Sequence, residues 1–119
     1  MSESVFGEIL YEGIDDSTNG PIVTPWMPRM GNAAVFGIEV LSISGTSVFW
    51  AVQHKNSEDA DPSFASLLYG YDEQTTADVY LSSVATGIKE LVRYVLKTGG
   101  TASMDWAQVR VLAPSWQTN

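Results

Sequence analysis

The rhythm of this chain limits its fold more than any other feature: apolar runs are short, and turn residues close each one. Gly45, Gly87 and Gly99-Gly100 punctuate the chain. So does Asn19-Gly20-Pro21, where Asn and Gly accept positive φ and Pro fixes its own. Runs of this length at this spacing are typical of antiparallel sandwiches and barrels. None approaches the ~20 apolar residues that a membrane-spanning helix requires. At 119 residues the chain forms one ordinary domain, large enough for a two-layer core. Cys is absent, which removes disulfides, thiolate metal sites and a thiol nucleophile.

The strands can be placed in order. Val5–Glu12 reads as the first, ended by Gly13 and the turn-rich stretch 15–20. Pro21, Pro25 and Pro28 confine 21–30 to an extended edge segment, because Pro has no N–H to give an interior ladder. Val35–Ser44 and Ser47–Lys55 read as a hairpin joined around Gly45. In its second arm Val48, Trp50, Val52 and His54 share one face, and Phe49, Ala51 and Gln53 share the other. Aromatic residues on both faces mark a central, largely buried strand. After a polar loop over 56–63, Phe64–Tyr69 and Thr75–Val84 are predicted strands. Ala107–Leu112 follows, with Ala107, Val109 and Val111 facing one way and Gln108 and Arg110 the other.

Residues 88–97 admit two readings. Ile88, Leu91, Val92, Val95 and Leu96 have the spacing of an amphipathic helix, which periodicity favours. As a strand, the same stretch turns Val92, Tyr94 and Leu96 inward and Arg93, Val95 and Lys97 outward.

Composition excludes several partners. Hydrophobic residues at 45% and charged residues at 17% describe a folded chain. Residues 1–80 hold twelve acidic side chains against Arg29 and Lys55, a balance of −10. Residues 81–119 hold Glu90 and Asp105 against Lys89, Arg93, Lys97 and Arg110, a balance of +2, giving −8 in all. Phosphate recognition needs the opposite sign, so neither nucleic acid nor an anionic membrane is expected as a direct partner. No basic stretch precedes an apolar one at the N-terminus, so no signal peptide is expected there.

Candidate chemistry is sparse. His54 is the single histidine, and no nucleophile or orienting acid is marked in sequence to converge on it, so a strand-end structural role is expected. No catalytic set and no cofactor are therefore expected. Asp59 and Asp61, with Asn56 and Glu58 nearby, are weak calcium candidates that lack a complete calcium-loop motif. Acidic loops on acidic domains are more often simply solvated. Trp50 sits among apolar neighbours and reads as core. Trp26, between prolines and beside Met27, and Trp116, near the C-terminus, either close the ends of a sandwich or anchor a partner.

One stretch runs Val48-Phe49-Trp50-Ala51-Val52-Gln53-His54 into the acidic loop 55–59. Later come Leu91-Val92-Arg93-Tyr94-Val95-Leu96, Gly99-Gly100 and the strand 107–112. This order, over roughly residues 35–113, resembles small discoidin-like β-sandwich proteins from the virions of tailed phages, including head decoration proteins. The resemblance implies an all-β antiparallel sandwich (jelly-roll or discoidin-like) and makes Leu91–Thr98 a strand. It further implies a non-enzymatic decoration protein on the outside of a phage head, bound to the major capsid protein or another virion protein, and homo-oligomeric. Acidity suits the outer face, away from packaged DNA. Expected contact residues are Val5, Phe6, Trp26, Met27 and Trp116, on a single domain with extended arms at 1–6 and 113–119. The alternative is a carbohydrate- or receptor-binding module using loop aromatics and acids.

Overall fold

The computed structural model describes residues 9–11, 22–44, 47–63, 66–98 and 106–117. It is an all-β antiparallel sandwich built from twelve strands among these residues. Sheet A has the order β1 (Ile9–Tyr11), β11 (Trp106–Val111), β5 (Gly37–Ser44), β8 (Asp78–Leu81). Sheet B has the order β2 (Ile22–Val23), β10 (Leu91–Thr98), β6 (Val48–Lys55), β7 (Tyr69–Gln74), and β3 (Met27–Pro28) also lies along β10. A small third sheet orders β12 (Ser115–Gln117), β4 (Ala33–Val35) and β9 (Ala85–Thr86).

The core follows from strand alternation. Val48, Trp50 and Val52 of β6 and Val92, Tyr94 and Leu96 of β10 meet Ile38, Val40, Ala107, Val109 and Val111 of sheet A in one buried cluster. Sheet A keeps its alternation across a bulge. The register shifts between Gln108↔Ser42 and Val109↔Val40, which leaves Leu41 as the extra residue and restores Ile43 to the core face. Tyr94 stitches the two layers together. The Gly37 N–H donates to its hydroxyl at 2.9 Å, and the hydroxyl donates to the Leu112 carbonyl at 2.9 Å. Burial pushes the phenol well above its ordinary pKa, so this bridge stays protonated.

The third sheet closes one end of the sandwich. Phe36 sits at the break between β4 and β5 and meets Tyr94 and Trp116 edge to face, at 5.9 and 6.0 Å between ring centres. The C-terminal stretch read as an arm thus lies along β4 of its own chain as far as Gln117. Gly31 permits that approach, since a Cβ there would strike the Gln117 carbonyl oxygen and lie 3.1–3.2 Å from that residue's C and N.

Several expectations need correction. The stretches 35–44 and 47–55 do not form a hairpin: β5 pairs with β11 and β8, while β6 pairs with β10 and β7. A turn signal does not distinguish a chain folding back in its sheet from one crossing to the other layer. Phe64–Tyr69 is not a strand over 66–68; pairing begins at Tyr69, and residues 64–65 lie outside the described residues. Thr75–Val84 narrows to Asp78–Leu81, and Val5–Glu12 is described only over Ile9–Tyr11.

Residues 91–98 form a strand rather than the helix that periodicity favours. The helical spacing arises because both faces of β10 are buried. Val92, Tyr94 and Leu96 fill the sandwich core, while Arg93 and Val95 are covered on the outer side. A strand apolar on both faces loses its period of two. The proline-rich stretch does form the edge expected of it, with β2 and β3 both pairing β10.

Candidate functional site: an apolar sheet edge

The sequence candidates gather first around Trp26. The Arg93 guanidinium lies 4.4 Å from the centre of its ring and the Lys55 ammonium 5.1 Å, each a cation–π contact. The indole N–H donates to Asp61 at 3.1 Å, and the same carboxylate takes Lys55 at 2.9 Å and Arg93 at 3.6 Å. Arg93 is buried, and its Nε–H donates to Gln53 at 2.9 Å; the Gln53 amide in turn donates to the Ser63 carbonyl at 2.8 Å. This network pins the 56–63 loop and the strap around Trp26 over the outer face of sheet B.

Asp61 is thereby committed to cations of its own chain. The Lys55 hydrogen bond chiefly, with help from Trp26 and Arg93, holds its carboxyl below the usual value. Asp59 accepts from the Asn56 main-chain N–H at 3.2 Å, and Glu90 accepts from the Ser57 N–H at 2.7 Å and its hydroxyl at 3.1 Å. Asn56, Glu58, Asp59 and Glu90 line an open depression. Among the described residues no trio of acidic or histidine side chains is arranged to hold a metal ion.

Met27, Trp116 and His54 have partners within the fold. Met27 and Trp116 pack against the core cluster. Val5 and Phe6 lie outside the described residues. The Lys89 N–H donates to His54 Nδ1 at 3.1 Å; burial first, and the Lys89 charge second, hold this imidazole below its ordinary value.

These groups set an acid response. A depressed imidazole pKa means that the unfolded chain binds the proton more tightly, so stability is complete above about pH 6.5 and falls as pH drops below it. Asp61 and Glu90, whose carboxyls are depressed by hydrogen bonds to Lys55 and Ser57, contribute stability above about pH 4 that is lost as pH falls through their folded values. Urea midpoints measured across pH should therefore fall in two stages, and His54→Gln should remove the first alone. A His54→Gln profile that overlays the parent between pH 7 and 5 contradicts this assignment.

The surface left open lies elsewhere. β8 ends sheet A, and its apolar side chains Val79 and Leu81 are 47% and 62% exposed, with Val84 beyond them at 50%. Their main-chain groups face outward as well, with no strand among the described residues beyond them. Ser82 N–H donates to the Phe36 carbonyl at 2.8 Å, and β8 pairs with β5 as Ile38↔Tyr80 and Val40↔Asp78. Bonded and non-bonded pairs alternate in an antiparallel ladder, so Val79 and Leu81 turn their N–H and C=O away from β5. The Val79 amide accordingly bonds outside the sheet, to Asp78 Oδ1 at 2.8 Å.

Two of the other edge strands are guarded. Pro28 sits in β3, and β7 carries Glu73 together with a register shift between Trp50 and Val52. On β8 the one guard is Asp78 at its start. The sequence held a signal of this edge, three consecutive apolar residues at 79–81, but such a run equally describes a central strand. Compared with models of known protein families, with characterised proteins and with solved structures, the chain matches none of them.

Proposed function

We propose that this domain is a non-catalytic structural component of a larger particle, joined to its neighbours through the β8 edge. The observation that carries this reading is the exposure of Val79 and Leu81 on a strand with outward main-chain groups. Apolar side chains beside open ladder groups favour an added strand. The titratable groups with displaced pKa values support the same reading. His54 bonds Lys89, Asp61 bonds Lys55, Glu90 bonds Ser57, and Tyr94 bridges the sheets.

The setting we assign is the outer surface of a tailed-phage head. Its support is the resemblance over residues 35–113 and a net charge of −8, which disfavours a place beside packaged DNA. Antibody against the folded chain should label intact heads that carry it. Labelling that appears only after heads are disrupted, or not at all, refutes this placement.

A further inference from the structure

We propose that the occupant of the β8 edge is β8 of a second copy, paired antiparallel across a two-fold axis at Tyr80. This deepens the reading of β8 as the assembly surface and rests on it. Main-chain parity limits the register. The open main-chain groups belong to Val79 and Leu81, so odd-numbered residues must face odd-numbered ones for the ladder bonds to form. The same parity keeps the exposed side chains of both copies on one face. Centring on Tyr80 sets Val79 opposite Leu81 of the second copy, twice by symmetry. Two four-stranded sheets then join edge to edge with one continuous apolar stripe.

This centre is favoured over Leu81, which would set Val79 opposite Ser83, and over Val79, which would bring the two Asp78 residues within two positions of each other. It places Asp78 opposite Ser82 of the second copy and separates the two Asp78 residues by four positions along the ladder. That is roughly 13 Å at strand rise, beyond a Debye length of about 8 Å at physiological salt. Glu39, opposite Val79 on β5, is neutralised within its own chain by Arg110 at 3.2 Å. Asp78 opposes pairing in one respect, since its carboxylate holds the Val79 amide that the second copy needs.

The edge is short. Four residues offer much less than the roughly 800 Å² per partner of a stable interface, so the dimer is weak in solution and gains from crowding on a particle. Repulsion between two chains of −8 each makes it tighten with added salt.

Sedimentation equilibrium of the purified chain from ~10 μM to ~1 mM tests this, with an expected dissociation constant of order 10⁻⁴ M. Leu81→Lys and Val79→Lys should each weaken it at least tenfold while urea midpoints stay near the parent's, because both side chains are largely exposed. Asp78→Ala frees the Val79 amide and removes a charge, and should tighten it several-fold. A chain that is monomeric throughout, in high salt as well, overturns the second copy. So does a dimer indifferent to all three variants. If the chain is monomeric and Leu81→Lys nonetheless stops it joining particles, the edge takes another protein's strand and only the second copy is refuted. If Leu81→Lys leaves particle binding intact, the assembly role of β8 fails as well.

Discussion

Replacing Trp50 with alanine should lower the unfolding free energy by about 3–5 kcal/mol, the usual cost of removing a large buried aromatic. Trp50 is fully buried in central strand β6, stacked on Tyr94 at 6.2 Å and tilted against Tyr69 at 5.0 Å. The indole nitrogen gives this substitution an unusual control. Among the described residues it is the one buried side-chain polar atom with no hydrogen-bond partner. Trp50→Phe removes an unsatisfied donor while keeping an aromatic ring, so it should cost no more than about 1–2 kcal/mol. Urea denaturation of both variants decides it. A Trp50→Phe loss well above that range would show that the indole N–H has a partner, and a stable Trp50→Ala chain would contradict the core described above.

Tyr94→Phe should cost about 2–4 kcal/mol, a large effect for the loss of one oxygen. The ring contacts to Phe36 and Trp50 survive the change. What is lost is the partner of two main-chain groups, the Gly37 N–H and the Leu112 carbonyl, which then face a phenyl edge. Leaving a buried donor or acceptor unpaired costs about 1–3 kcal/mol, in full at the buried Gly37 N–H and in part at the half-buried Leu112 carbonyl. A loss below about 1 kcal/mol would mean that the sheets are held together without this bridge, or that water replaces it.

The interior strands were legible because their residues declare burial on both faces. Trp50 and Phe49 mark β6 as central, and Ala107, Val109 and Val111 alternate cleanly along β11. β10 was harder for the same physical reason: with Val95 covered as well as Val92, Tyr94 and Leu96, apolar residues fall at helical spacing. What sheet a strand joins was not legible at all. Partners of β5 lie 38 residues or more away along the chain, in β8 and β11, and the turn signal of Gly45 in the sequence carries no information about them.

The same limit applies to the surface. Trp26 was a reasonable partner anchor in sequence, since nothing local reveals that Lys55, Arg93 and Asp61 engage its ring and its N–H. Trp116 likewise looks free four positions from the end until β12 pairs β4 and turns it onto Phe36. Val79 and Leu81 were overlooked for the converse reason. Their run of apolar residues reads as interior, and only the sheet order makes it an edge.

Hydrogen exchange at the Leu81 amide tests most directly whether that edge is where the domain works. In the dilute free chain this N–H points out of sheet A and should exchange quickly, while Ser82, bonded to the Phe36 carbonyl, is protected. In chains assembled on their particle the Leu81 amide should slow at least tenfold, with Ser82 little changed. Equal and rapid exchange of Leu81 in the free and assembled chain would contradict the assignment of β8 as the assembly surface.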